Sequence, residues 1–119
     1  MRAFGGPSVL RIGAVTVGQP GPGELRVRQT AIGVNFLDIY VRTGLYKTLP
    51  LPGIPGIEAA GVVEAAGPGA EDFRPGDRVG YVAAGYGAYA SERILPAGLA
   101  LRLPGSVDGR TAAAVLQVP

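Results

Sequence analysis

Apolar and polar positions change their period several times along the chain, and each change marks an element. From Glu24 to Gly33 they alternate, with Leu25 and Val27 on one side and Arg26 and Arg28 on the other. This is the clearest period of two in the sequence and predicts a half-buried strand. Val9 to Val17, VLRIGAVTV, alternates around Leu10, Ile12 and Val15 and reads as a second such strand. The intervening QPGPG must turn, so the two segments are expected to pair antiparallel. After Gly33 the period lengthens: Phe36, Leu37, Tyr40 and Val41 fall at helical spacing behind Asn35, a residue suited to capping free N–H groups. Thr43 and Gly44 end that helix at about Arg42.

The segment LYKTLPLPGIPGI, Leu45 to Ile57, carries Pro50, Pro52 and Pro55, which forbid a continuous helix or a central strand. An ordered, irregular loop is expected. Glu58 to Ala66 could be helix on its Ala content, but Gly61, Val62 and Val63 lean towards strand. Pro68 and Gly69 then turn the chain, and FRPGDRVG sets a Pro-Gly turn before a strand through Tyr81, Val82 and Ala83. Gly85 to Leu95 is a further strand candidate, broken by Gly near its start, and Leu101 to Leu103 a short one. A second helix is expected from about Val107 to Leu116, capped by Ser106 or Asp108. Some six to eight short strands at intervals of roughly 8 to 12 residues describe one mainly β domain with short helices, a small barrel or sandwich.

Composition supports one compact domain, with 47% hydrophobic and 17% charged residues in 119. The 20 Gly and 11 Pro punctuate aliphatic runs and do not form tracts. A net charge of +2, with cations scattered singly, offers no continuous footprint for a phosphate backbone, so nucleic acid is not an expected partner. Without Cys or His, the chain has no thiolate nucleophile and lacks the two commonest zinc-ligand types. No apolar run approaches the roughly 18 residues that a membrane span needs, and a soluble cytoplasmic protein is expected. The scarcity of Asn, Gln, Cys and Met suits a thermophile, and an Ala, Gly, Pro and Arg bias from genome composition explains it equally well.

Candidate chemistry concentrates in AIGVNFLDIYVRTGLY, Ala31 to Tyr46, which holds the only Asn of the chain with Asp38, Tyr40, Arg42 and Tyr46 around it. Each has a plain structural reading. Asn35 can be a helix cap alone, Tyr40 a packing residue, and Asp38 a partner for Arg42 four positions on. Glu58 is either exposed on its strand or bracing a pocket through hydrogen bonds. Arg42 and Lys47 are either solvated or drawn to a phosphate. Tyr81, Tyr86 and Tyr89 are expected to fill the barrel surface.

The order of motifs is informative. AIGVNFLDIYVRTGLY, then PGIPGIEAAGVVEAAGPGAEDFRPGDRVGY, then GAYASERILP, resembles the N-terminal substrate domain of the medium-chain dehydrogenase/reductase superfamily, in the branch of zinc-independent quinone oxidoreductases of zeta-crystallin type. The resemblance spans essentially the whole chain and implies a GroES-like, partly open β-barrel. In the zinc-dependent members, the positions matching Asn35 and Ile57 usually carry Cys and His that bind zinc. Here an amide and an aliphatic chain stand there, which implies metal-free hydride transfer from NADPH to a quinone or an α,β-unsaturated carbonyl. The resemblance places Asn35, Asp38 and Tyr40 at the catalytic centre, with Tyr46, Arg42, Glu58 and Gln117 around the substrate and cofactor cleft. Asn35 and a Tyr hydroxyl would donate to a carbonyl oxygen as it gains charge. Protonation would fall to Tyr, Asp or solvent.

The superfamily's second half is a Rossmann domain, whose Gly-rich turn holds the cofactor pyrophosphate. GPGAED near Gly67 resembles such a turn only superficially, because it closes no βαβ unit. Leu116 and Gln117 match the approach to the nucleotide-binding half, while Val118 and Pro119 depart from its usual Gly-containing continuation. The expectation is therefore a substrate domain cut before its partner half. Alone it should be inactive and prone to associate at high concentration; the whole enzyme is expected to be a homodimer. A free-standing GroES-like binding or assembly module is the alternative. Which quinone or enone is reduced does not follow from these residues.

Overall fold

A computed structural model describes residues 1–82 and 84–117. Its centre is one antiparallel sheet of five strands: β1 (Glu24–Gly33), β2 (Glu58–Ala66), β3 (Arg78–Val82), β4 (Glu92–Pro96) and β5 (Leu101–Arg102), in the order β4-β1-β2-β3-β5. Helix α1 (Phe36–Thr43) leaves the end of β1, and α2 (Gly109–Val115) follows β5. The chain is thus a mainly β domain with short helices at its margins.

The alternation that defines β1 also orients the sheet. Leu25 and Val27 point inward, where they join Ala59, Val63, Val79, Tyr81 and Leu95 from β2, β3 and β4, with Phe73 from the connecting loop, in one buried cluster. Each such aliphatic side chain contributes roughly 1.5–3 kcal/mol by leaving water. The opposite face is covered at one end by α2, whose Ala112 and Ala113 pack on Ala60. Small residues there let the helix lie close to the strands. Two register shifts in the β1–β2 ladder, between Arg26 and Val27 and between Gln29 and Ala31, let the long pair bend around the core.

Several expectations need correction. Val9–Val17 is not a strand: Pro7–Val9 forms a single 3-10 turn, and the residues beyond it run on without strand pairing, leaving Ile12 fully exposed. The expected pair with Glu24–Gly33 fails because both edges of β1 are taken, one by β2 and the other by β4. Alternation is a necessary pattern, but a strand also needs a free edge for its backbone groups. Five strands form among the described residues, fewer than six to eight.

Gly85–Leu95 also divides. Only Glu92–Pro96 joins the sheet, because Gly85 (φ +72°) and Gly87 (φ +129°) turn the preceding segment away. There the N–H groups of Gly87 and Ala88 donate to the carbonyl of Gly56, and that of Tyr89 to Pro55. The Pro-rich loop is irregular as expected. The expected end of β3 at Ala83 and the divergence at Val118 and Pro119 lie outside the described residues.

Helix α2 is shorter than Val107–Leu116 and starts from Asp108, whose Oδ1 accepts the N–H of Thr111 at 2.7 Å. In α1 the buried positions are Asp38 and Val41, while Phe36 and Tyr40 face outward. The helix therefore presents much of its apolar side to solvent. Tyr81, expected on the barrel surface, is wholly buried in the core.

Candidate active site

The site is organised by the step from β1 into α1. Asn35 stands at the N-cap position in an extended conformation. Asp38 folds back one turn, and its Oδ2 accepts the backbone N–H of Asn35 at 2.9 Å, the carboxylate half of a capping box. The Asn35 amide reaches across to the sheet, where Nδ2 donates to Glu58 Oε1 at 3.1 Å. Glu58 is not exposed on its strand: it is 2% accessible, and its Oε2 accepts the backbone N–H of Gln117 at 2.8 Å. A buried carboxylate is tolerated only when its lone pairs are occupied. This one joins the start of α1 to the residue pair that follows α2. Gly33 sits against the same carboxylate, and a Cβ there would press into the Ala113 carbonyl and come within 2.6 Å of Glu58 Oε1.

A second set of contacts holds Asp38 from behind. The hydroxyl of Tyr89 donates to Asp38 Oδ2 at 2.8 Å. Burial, and next the bond to the Asp38 carboxylate, push the Tyr89 phenol far above its ordinary range, with the positive charge of Arg42 opposing. The phenol therefore remains a protonated donor at any ordinary pH. Its ring fills the space that a Cβ on Gly56 would need, and Gly56 itself holds φ +96°. The loop carrying Tyr89 is fastened to β1 by Gln29, whose Nε2 donates to the carbonyls of Ala88 at 2.8 Å and Ala90 at 2.7 Å. Gln29 Oε1 in turn accepts from the Tyr81 hydroxyl.

In front of this network lies a cleft of about 350 Å³ between the end of β1 and α2, lined by Ile32, Val34, Asn35, Glu58, Arg110 and Ala113 among others. The structure brings Asn35, Asp38, Glu58 and the backbone of Gln117 into one hydrogen-bonded group. Tyr40 and Tyr46 do not line the cleft. They pair with each other edge to face, ring centroids 5.5 Å apart, at 38% and 48% exposure. Arg42 forms no ion pair with Asp38 among the described residues, and its Nε is buried without a hydrogen-bond partner.

Three contributors were not anticipated: Tyr89, Gln29 and Arg110. Gln29 carried a signal, since it occupies the inward phase of the best alternating strand, where a polar residue needs a partner. Tyr89 and Arg110 had none, because their roles come from a loop and a helix placed by the rest of the fold.

Among the described residues no group of three or more His, Cys, Asp or Glu could hold a metal ion, and no helix is long and apolar enough to cross a membrane. An open antiparallel sheet, a short helix after its longest strand and an Ala-rich helix against its other face together define a GroES-like domain. The chain belongs to the alcohol dehydrogenase GroES-like domain family, which matches residues 21–105, within the medium-chain dehydrogenase/reductase superfamily.

Its relatives include a quinone oxidoreductase of Pseudomonas aeruginosa, 45% identical over 117 residues, covering 96% of this chain and 35% of that protein. A 2-haloacrylate reductase of Burkholderia sp is 47% identical over 107 residues, covering 87% of this chain and 32% of its own length. The Escherichia coli quinone oxidoreductase, solved in complex with NADPH, superposes with a TM-score of 0.90 at 40% identity, over 96% of this chain and 35% of that one. This chain thus spans about a third of the length of the relatives it matches.

Proposed function

We propose that this chain is the acceptor-side wall of an NADPH-dependent reductase that transfers hydride, without zinc, to quinones or other conjugated carbonyls. The observation that carries the reading is the locked amide–carboxylate group of Asn35, Asp38 and Glu58 at the edge of a cleft lined by both polar and apolar residues. The relatives that reduce quinones and 2-haloacrylate support the substrate class.

The residues do not fit zinc. Asn35 stands where the zinc-dependent members carry a thiolate, and its amide is committed to Glu58; Ile57, at the other ligand position, is buried and aliphatic. They do fit a nicotinamide and a flat acceptor. With one N–H given to Glu58, the Asn35 amide retains a second donor. Ile32 and Val34 supply apolar surface beside it, and Tyr40 and Tyr46 offer exposed aromatic edges on the adjoining helix and loop.

NADPH, when bound, supplies the hydride, and its adenosine and phosphates fall to a nucleotide-binding half beyond this chain. The work of this domain is positioning: Asn35, which lines the cleft, orients the nicotinamide and acceptor, and its remaining N–H donates towards a carbonyl oxygen that gains negative charge. By the family resemblance the whole enzyme is a homodimer.

The test is made on the whole reading frame that carries this chain. Asn35→Ala should lower kcat for 1,4-benzoquinone reduction by about 10²-fold, while Tyr40→Phe and Tyr46→Phe, outside the cleft lining, should change it far less. Unchanged kcat in Asn35→Ala would refute the assigned role.

A further inference from the structure

Asp38 has two unlike oxygens. Oδ2 is saturated by the Asn35 N–H and the Tyr89 O–H, whereas Oδ1 is buried without a hydrogen-bond partner among the described residues. The side chain is 4% exposed, so its rotamer is set by those two donors. Only one of them belongs to α1. The other is delivered from the loop after β3, which is fastened to the Pro-rich loop through Pro55 and Gly56 and to β1 through Gln29. Among the described residues, Tyr89 gives the one side-chain hydrogen bond by which this braced loop reaches the carboxylate that caps α1.

We infer that Tyr89 is a positioning residue for the reaction: by anchoring Asp38 Oδ2 it holds the N-terminal turn of α1, and Asn35 with it, in register with Glu58. The inference rests on the reading of Asn35 as the group that orients nicotinamide and acceptor. The logic is geometric. Asn35 is held at two points, its backbone N–H by Asp38 and its amide by Glu58. Without the Tyr89 hydroxyl, the Asp38 carboxylate keeps the Asn35 N–H and loses the donor that comes from outside the helix turn. The cap then no longer fixes the direction of the Asn35 amide. A misplacement of reacting groups by about 1 Å can cost on the order of 10²-fold in rate, so a hydroxyl that never touches the substrate can still govern turnover. Through Gln29 the same restraint extends to Tyr81 in the core, which gives the site a rigid footing on the sheet.

Two measurements test this. In the whole reading frame, Tyr89→Phe should lower kcat at least tenfold at saturating acceptor while KM for NADPH changes less than twofold. The double variant Tyr89→Phe/Asp38→Asn should fall little below Asp38→Asn alone, since both changes break one linkage. A loss shared equally between kcat and stability with additive variants, or wild-type turnover in Tyr89→Phe, would overturn the inference.

On the 119-residue chain itself, ultraviolet titration reads the phenol without any turnover. Burial, and then the bond and charge of Asp38, hold the Tyr89 phenol up against Arg42, so Asp38→Asn should bring its ionisation part of the way down and leave the share due to burial. An unchanged titration in Asp38→Asn would deny the linkage. If the whole protein reduced no quinone or enone at all, the functional reading would fail by itself, and the titration would still decide whether the linkage exists.

Discussion

Asn35 shows what a single residue discloses. Its type and place before a helical period announced a cap, and its solitude in the chain made it a candidate for chemistry. Its cross-strand bond to Glu58 could not be read, because nothing local fixes which strand lies 3.1 Å from the amide. Asp108, by contrast, is wholly local: its side chain binds the N–H of Thr111, three residues on.

That locality gives a pH prediction. Hydrogen bonds from the Thr111 backbone, and for Asp77 from the Arg74 backbone and then the Arg102 side chain, hold the two carboxyls below their ordinary value of 3.8. An acid with a depressed folded pKa stabilises the fold above its unfolded pKa and loses that contribution as pH falls through the folded value. Stability should therefore decline below about pH 4, and Asp77→Asn/Asp108→Asn should flatten that decline in urea unfolding followed from pH 6 to pH 2. A parallel decline in the double variant would contradict the assignment.

Elements were legible where pattern and pairing agree. Glu24–Gly33 alternates and has two neighbours, so it is a strand; Val9–Val17 alternates and has none, so it is not. Local pattern could not separate them, since the difference lies in which edges the rest of the sheet leaves open. The boundary of β4 was missed for a related reason. The N–H groups of Gly87, Ala88 and Tyr89 go to the Pro-rich loop, a destination invisible in a run of Gly, Ala and Tyr.

The contrast between the two alternating segments is measurable. Leu25→Ala empties a fully buried site and should cost about 2–5 kcal/mol. Ile12→Ala alters a fully exposed residue and should stay within about 0.5 kcal/mol. Equal losses in chemical denaturation would mean that Val9–Val17 is built into the core after all.

At the scale of the molecule, the order of motifs was enough to place the chain in its family, and the GroES-like match over residues 21–105 agrees. What the sequence held back was the inside of the site: a carboxylate joining two helix ends, and a tyrosine bracing the first from a loop. These are long-range contacts, between residues 23, 51 and 59 positions apart, and they exist only once the sheet is assembled. The assembled domain presents a polar corner, a cleft and exposed aromatic edges, but all its strand pairs are antiparallel, so the described residues contain no βαβ unit to hold a dinucleotide. The relatives are about three times as long, and in the proposed enzyme this domain forms one wall of a cleft.

The most direct test of that claim is NADPH oxidation with 1,4-benzoquinone, measured side by side for the 119-residue chain and for the whole reading frame that carries it. The longer protein should turn over NADPH, and the chain alone should show no oxidation above the buffer rate. Steady NADPH oxidation by the isolated 119 residues, or a reading frame that stops at Pro119, would contradict it.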